Sequence, residues 1–323
     1  MTKQPIPNFF IVGAPKCGTT ALANYLADHP EVYIGPKELH FFGEDLVFRR
    51  PIRYRSAPEY LGIFRNRKEK ICGDASVWYL YSSTASEEIY RFNKNAKILA
   101  MVRNPIEFLH SQHSQLVENG DEDILSFESA LAAEPARKNG VGLPDTVAPG
   151  PVQALFYMET TKFSEQLERY FTRFPREQIH IVVYDDFKAD TAATYRGVLD
   201  FLEIHPEHRP EFRVVNPNRA VKNERLWRFM KFGPPALRQT WRRTVPAPVR
   251  GRILRWINQR NLVEQKRPDM HEETRDRLRK AFTPEVERLS KMLGRDLMGW
   301  VETRDGTLPR KIEDAHGFTP RKG

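Results

Sequence analysis

The stretch NFFIVGAPKCGTTALANYLADHP, residues 8–30, decides the fold class of this chain. It begins with a short apolar run that predicts a buried strand over Asn8–Val12. A turn bounded by glycines follows, and the next apolar residues share one face of a predicted helix over Thr19–His29. Backbone N–H groups at such a helix start bind anions, so a strand, a glycine turn and a helix in this order normally hold a phosphate group. We therefore predict a phosphate-binding loop over Gly13–Thr20.

The lysine of this loop is not where a nucleoside-triphosphate enzyme keeps it. Gly13 and Gly18 have the Walker A spacing, but Thr19 stands at the lysine position. The lysine of the stretch is Lys16, inside the loop. A magnesium-dependent enzyme also needs an acidic residue at the end of a neighbouring strand, whereas the strand AKILAMV is followed by Arg103. We predict a metal-free site that binds two separate anionic groups; the alternative is a glycine turn without a ligand.

Strands and helices alternate along the first two hundred residues. Further strands are predicted at Val32–Ile34, Lys70–Cys72, Lys97–Val102 and in QIHIVVYDDF, residues 178–187. Further helices are predicted near Ser83–Phe92 and at Pro105–Asn119, Lys162–Phe174, Thr191–Leu202 and His271–Leu293, and a loop is predicted at Glu134–Pro151. This alternation predicts an α/β fold, P-loop NTPase-like, with a parallel sheet flanked by helices on both faces and a helical C-terminal cap.

The composition restricts the location and the partners of the protein. The chain has 323 residues, 40% of them hydrophobic, a net charge of +9 and a pI near 9.5, which favours anionic partners. Two cysteines, no signal-peptide pattern and no apolar window of membrane-spanning length predict a soluble cytoplasmic protein. We predict one domain over residues 1–302 and a flexible tail over 303–323; the sequence does not indicate an oligomeric state.

Residues 216–268 differ from the rest of the chain because they are basic and aromatic and contain several prolines. They could form a lid over an acceptor, or an interfacial helix that contacts anionic lipid. A helical cap with its aromatics in the core and its arginines in water is an equal alternative.

A second anion-binding signal is RNPIEFLHS, in which Arg103 ends a strand and Ser111 lies about two helical turns later. The carboxyl ends of parallel strands share one edge, so Arg103 can face the same crevice as the Gly13–Thr20 loop. A guanidinium and a hydroxyl suit a phosphate monoester. Taken alone, the pair could equally be a surface arginine and a serine bonded to its own helical turn.

The segments GAPKCGTT, KELHFF and RNPIEFLHS together resemble the PAPS-dependent sulfotransferase family, in particular its branch of heparan sulfate sulfotransferases and bacterial relatives. The likeness continues through residues 165–187 and 267–300 and thus covers most of the chain. It implies that the 5′-phosphosulfate binds to Lys16, Cys17, Gly18, Thr19 and Thr20. It also implies a 3′-phosphate site at Arg103 and Ser111, with Lys266 and Arg267 as further candidates that could equally be solvated charges.

The same resemblance implies a catalytic base and a leaving-group cation. The glutamate of the segment E-x-H-F-F is Glu38, with His40 as a lesser candidate base or an orienting neighbour, and Lys16 stabilises the leaving phosphate. A glutamate has an ordinary pKa of about 4.3, so Glu38 must be partly desolvated to act near neutrality. Without the resemblance, Glu38 would be read as a solvated turn residue. Some relatives carry a leaving-group lysine where this chain has Ala75.

The predicted activity is transfer of a sulfuryl group from PAPS to a hydroxyl or amine, releasing PAP and using no metal. The acceptor would be a small molecule, a carbohydrate or a lipid, with peripheral membrane contact an option and no nucleic acid expected. Two other hypotheses remain. One is a P-loop kinase of a small metabolite, and the other is a non-catalytic module that binds nucleic acid or membrane through its basic segment.

Overall fold

The computed structural model describes residues 6–144, 150–212 and 269–302, the backbone of 219–221 and 262–264, and residues 244, 246, 249 and 252. Most of the predicted basic segment, including Lys266 and Arg267, lies outside the described residues, and so does the predicted tail from residue 303 onward. Among the described residues, none belongs to a helix with both the length and the apolar character needed to cross a membrane.

The centre of the fold is a five-stranded sheet in which every pair of neighbours is parallel, in the order β2-β3-β1-β4-β5. The strands are β1 (Phe9–Gly13), β2 (Val32–Ile34), β3 (Ile71–Ala75), β4 (Lys97–Val102) and β5 (Ile179–Val183). All residues of β1 and β3 are buried, as expected for strands covered on both faces. The predicted α/β fold with a parallel sheet is confirmed. A separate antiparallel pair consists of Arg219–Val221 and Leu262–Glu264.

Helices connect and cover these strands. They are α1 (Thr19–Ala27), α2 (Ala57–Phe64), α3 (Ala85–Phe92), α4 (Pro105–Asn119), α5 (Phe127–Lys138), α6 (Tyr157–Thr160), α7 (Phe163–Phe171), α8 (Tyr184–Ala189), α9 (Thr191–Leu202), α10 (Glu272–Leu293) and α11 (Gly299–Glu302). Helix α4 begins as predicted: Pro105 occupies its first turn, and the Asn104 side chain accepts hydrogen bonds from the N–H groups of Ile106 and Glu107.

Two secondary-structure predictions were wrong at their boundaries. The predicted loop from Glu134 is still helical to Lys138, with Pro135 inside α5. The last turn is retained because the buried guanidinium of Arg137 donates to both carboxylate oxygens of Glu122, each at 2.6 Å. The predicted strand over residues 178–187 ends at Val183, and Tyr184 opens α8 instead. Four helices, α2, α5, α6 and α11, were not predicted.

The C-terminal helices pack against the edge of the sheet where β4 and β5 end. Arg295 forms a bidentate ion pair with Asp186, and the Trp300 indole N–H donates to Asp185 at 2.7 Å. Asn104, the residue that caps α4, donates to the backbone oxygen of Trp300 at 3.2 Å. The segment LGRDLMGW, residues 293–300, therefore packs against this edge of the sheet.

The chain enters and leaves the stretch 213–268 at two points that are fixed to the core. Before it, the Phe212 ring lies 5.1 Å from the ring of Tyr25 in an edge-on contact. After it, Met270 is buried, and α10 follows. The two ends of this stretch are thus held by the same folded unit.

Candidate active site

The predicted anion-binding loop joins β1 to α1, and its shape depends on glycine at residue 18. Gly18 has a left-handed backbone with φ of 89°, and a Cβ there would lie 3.1 Å from the Phe187 ring. Both facts favour glycine, since other residues rarely adopt this φ. Gly18 is also the N-cap of α1, and no described side chain caps this helix. The first N–H groups of α1 therefore remain available for an anion.

Lys16 lies inside the loop, with its backbone in the left-handed region at φ 61°. Its Nζ donates to Oε1 of Gln115 on α4 at 2.6 Å. Its backbone oxygen accepts a hydrogen bond from Nη1 of Arg103 at 3.2 Å. The structure thus brings the loop and the end of β4 together at one edge of the sheet, as the sequence predicted for Arg103 and this loop.

Arg103 is held in place by an aromatic ring and a carboxylate. Its guanidinium lies 4.5 Å from the centre of the Tyr184 ring, and Nη2 is 3.9 Å from Oε2 of Glu107. Ser111 lies further along α4 and is buried. It precedes Gln115 by four residues, so both side chains share the helix face toward Lys16. Arg103 thus precedes α4 and contacts the loop, and Ser111 lies about two turns into the helix on the face of Gln115.

Cys17 and Thr19 are buried within the loop, and Thr20 is partly buried. Burial raises the pKa of the Cys17 thiol to about 12, although Arg103 and Lys16 oppose the shift. The thiol is therefore uncharged at neutral pH and packs rather than reacts. The Thr20 hydroxyl accepts a hydrogen bond from Nζ of Lys37, a residue for which the sequence suggested no role.

The segment that contains Glu38 and His40 has an unusual backbone. Both residues are in the left-handed region, with φ of 60° and 50°, a conformation that costs energy for side chains of this kind. The segment is fixed to the end of β3 because the N–H of Glu38 donates to the oxygen of Ala75 at 3.1 Å. The N–H of Val77 donates in turn to Oε2 of Glu38 at 3.3 Å.

Glu38 is a carboxyl group in a desolvated setting. Burial raises its pKa to about 7, while the nearby Lys37 ammonium and the Val77 N–H oppose the shift. Lys37 Nζ lies 3.8 Å from Oε1 of Glu38. About a third of the side chain, 34%, stays open to solvent, so that a substrate can reach it. Such a group accepts protons near neutral pH.

His40 is a neutral neighbour of this carboxyl group. Only 5% of the residue is exposed, and burial, followed by the charge of Arg55, lowers its pKa to about 4. Its Nε2 lies 3.4 Å from Oε2 of Glu38, while Nδ1 is buried without a hydrogen-bond partner among the described residues. A neutral ring placed in this way can donate from Nε2 to Glu38.

Asp74, for which sequence reasoning found no role, supports the segment that contains Glu38 and His40 through hydrogen bonds to hydroxyl groups. The carboxylate is fully buried, which raises its pKa to about 6. It accepts three hydroxyl hydrogen bonds at 2.7–3.0 Å, from Ser76, Tyr60 and Tyr79. Two of these hydroxyls also accept backbone N–H groups, Ser76 from His40 and Tyr79 from Phe41. Asp74 thereby fixes the backbone that positions Glu38.

Gln115, Lys37 and Asp74 are the site residues that sequence reasoning missed. Gln115 had a detectable signal, because it follows Ser111 by one helical turn in the same stretch. Lys37 adjoins Glu38 in the chain, and its contact with Thr20 depends on the fold. No group of three or more potential metal ligands occurs within the part of the chain that the structure describes.

Comparison with known proteins finds family matches over most of the chain. A family model described as "Sulfotransferase domain" matches residues 80–294, and one described as "Sulfotransferase family" matches residues 7–86. The crystal structure of a sulfotransferase from Alicyclobacillus acidocaldarius has a TM-score of 0.67 and 27% identity, covering 92% of this chain and 99% of that one.

The curated relatives are longer proteins. Heparan sulfate glucosamine 3-O-sulfotransferase 5 of Mus musculus is 28% identical over 207 residues, which are 63% of this chain and 55% of the relative. Bifunctional heparan sulfate N-deacetylase/N-sulfotransferase 2 of Homo sapiens is 24% identical over 64% of this chain and 23% of the relative. The chain thus spans about half or less of these relatives. Since the family models together extend from residue 7 to residue 294, the chain belongs to the sulfotransferase family and resembles its heparan sulfate branch.

Proposed function

We propose that this protein transfers a sulfuryl group from PAPS to a hydroxyl or amine of an acceptor and releases PAP. The observation that carries the proposal is the meeting of three features at one sheet edge. These are a loop that carries Lys16 and leads into an uncapped helix start, Arg103 hydrogen-bonded to that loop, and the Glu38 carboxyl group, whose pKa is about 7. The first two suit a nucleotide with two anionic groups, and the third suits a general base.

The residues present fit such a donor. The N–H groups at the start of α1, with Lys16, Gly18, Thr19 and Thr20, would hold the 5′-phosphosulfate, and Arg103 and Ser111 the 3′-phosphate. The donor supplies an activated sulfuryl group. Lys16 would stabilise the negative charge that develops on the phosphate as the sulfuryl group leaves.

Glu38 would accept the proton of the acceptor group. Because its pKa is raised to about 7, a substantial fraction of Glu38 is ionised near pH 7. The ionised carboxylate is also a stronger base than an ordinary glutamate. His40 would orient Glu38 rather than replace it, because its own pKa of about 4 makes it a weak base. The ring stays neutral throughout the physiological range and keeps its hydrogen-bond donor for the carboxylate.

A carbohydrate acceptor is the first candidate, because the relatives named above act on heparan sulfate according to their names. Small molecules and lipids are the other candidates. An acceptor screen with radiolabelled PAPS should include saccharides, phenols, lipids and simple amines. Labelled product with at least one of these supports the proposal. If PAPS is not consumed with any of these acceptors, and the protein binds nucleic acid or vesicles in a salt-sensitive way, the non-catalytic alternative is supported.

Donor binding distinguishes sulfotransferase from kinase. Calorimetry should show binding of PAP that does not depend on added magnesium. Binding of ATP that requires magnesium, without affinity for PAP, would support a kinase instead. Glu38→Gln should bind PAP like the wild type and turn over roughly a hundredfold more slowly, since it loses the general base.

A further inference from the structure

Lys37 connects the two halves of the site. Its Nζ donates to the hydroxyl of Thr20 at the start of α1, on the donor side. The same Nζ lies 3.8 Å from Oε1 of Glu38, on the acceptor side. One ammonium group thus contacts a loop residue predicted to bind the phosphosulfate and stands beside the predicted base.

The partly buried position of Lys37 strengthens the electrostatic interactions of its ammonium group. Only 31% of its side chain is exposed, and burial lowers its pKa although Glu38 opposes the shift. Electrostatic interactions gain strength where water is partly excluded. The neighbouring end of β3 contributes no cation, because Asp74, Ala75 and Ser76 follow one another there.

Lys16 and Lys37 occupy different places around the loop. Lys16 donates to Gln115 on α4, and its backbone is bonded to Arg103, which places it on the nucleotide side. Lys37 contacts Thr20 and approaches Glu38, which places it between the loop and the base. Lys37 is therefore in reach of both a loop residue and the predicted base, whereas Lys16 contacts Gln115 and Arg103.

We propose that Lys37 is a catalytic residue that donates hydrogen bonds to the oxygens of the sulfuryl group during transfer. The inference rests on the proposed function. Glu38 takes the proton of the acceptor group while the acceptor atom forms its bond to sulfur. The bond from sulfur to the bridging phosphate oxygen breaks, and its electron pair remains on PAP. Lys37 loses no proton, and it stabilises charge on the sulfuryl oxygens.

Replacement of Lys37 by methionine removes the charge and keeps most of the side-chain volume. Turnover should fall by about 10²–10³-fold, the range for loss of one donor to a developing oxyanion. The affinity for PAP should stay within about threefold of the wild type, because PAP carries no sulfuryl group. Lys37→Arg keeps a donor and a charge and should recover turnover to within about tenfold of the wild type.

A second readout is the pH dependence of kcat/KM. The Lys37 ammonium opposes the raised pKa of Glu38, so its removal should move the acid limb of the profile to higher pH. Lys68→Met is the matched control, since Lys68 is exposed and its loss changes the net charge equally. It should leave turnover, PAP affinity and the acid limb unchanged. Thermal unfolding of each variant identifies any loss of turnover that comes from misfolding.

The outcomes separate this inference from the proposed function. If the wild type neither binds PAP nor transfers sulfate, the proposed function fails, and the Lys37 proposal fails with it. If the wild type is active and folded Lys37→Met retains full turnover, the Lys37 role alone is refuted. It is also refuted if PAP affinity falls as far as turnover does, because Lys37 would then bind the nucleotide instead. Slow turnover with PAP affinity retained and a shifted acid limb supports it.

Discussion

Replacing Glu38 by glutamine should slow turnover and at the same time stabilise the protein. In the folded protein, burial raises the pKa of Glu38 from 4.5 to about 7. Between these two pH values the folded state holds a proton that the unfolded chain has released. The free energy of unfolding therefore falls as pH rises through this window, and the loss is complete above pH 7. Glutamine carries no charge, so the variant does not lose this part of the free energy of unfolding as pH rises.

The size of the effect follows from the pKa shift. A shift from 4.5 to about 7 corresponds to about 3 kcal/mol, at about 1.4 kcal/mol for each pH unit. Solvent screens the charge because 34% of the side chain is exposed, so we expect about 1–2 kcal/mol in practice. For a difference of this reduced size, the linkage relation leaves about half of it at pH 5, where most of the carboxyl groups are still protonated in the folded protein.

Urea unfolding of the wild type and of Glu38→Gln at pH 5 and pH 8 tests this expectation. The variant should be the more stable protein at pH 8, by about 1–2 kcal/mol, and the gap should narrow at pH 5. Glu44→Gln is the control, because Glu44 is exposed and should show no such pH dependence. The kcat/KM of the wild type should rise with pH through an acid limb near 7. A variant less stable than the wild type at pH 8, or a gap that does not depend on pH, would refute the desolvation argument.

Three further substitutions probe other parts of the molecule. Arg103→Ala should weaken PAP binding by about 10–100-fold in calorimetry, the range for one charged hydrogen-bond donor, and normal affinity would exclude the 3′-phosphate role. Asp74→Ala leaves three buried hydroxyl groups without their acceptor and should lower the free energy of unfolding by about 2–4 kcal/mol, measured in urea. Arg137→Met leaves the buried Glu122 carboxylate without its buried counter-charge and should lower the free energy of unfolding by about 3–5 kcal/mol in the same assay. A loss below about 1 kcal/mol would contradict the view that Arg137 neutralises Glu122.

The parallel sheet and the Gly13–Thr20 loop between β1 and α1 could be predicted because their signals are local. Helix α4 began at the predicted Pro105 because a capping asparagine and a proline occupy adjacent positions. The contact of Arg103 with the loop followed from a topological rule, since parallel strands end at one edge. Each of these inferences needed only a few consecutive residues and one general principle.

The parts that failed depend on partners distant in sequence. Helix α5 continues through Pro135 because Arg137 finds the buried carboxylate of Glu122, fifteen residues away. Asp74 acquires its role from a tyrosine on α2, a helix that was not predicted. The contact between Lys37 and Thr20 joins residues seventeen positions apart. Periodicity and spacing carry no information on such pairings.

The fixed ends of the stretch 213–268 have a practical consequence for engineering. Phe212 and Met270 anchor both ends to one core, while Trp300 supports the cap of α4 through Asn104. A chimera that exchanges only the intervening stretch with a family member would keep the Gly13–Thr20 loop, Arg103 and α4 intact. Truncation before residue 269 would instead remove α10, α11 and the contact of Trp300 with Asn104, the residue next to Arg103. Transplants between relatives should therefore be designed as internal grafts and not as terminal fusions.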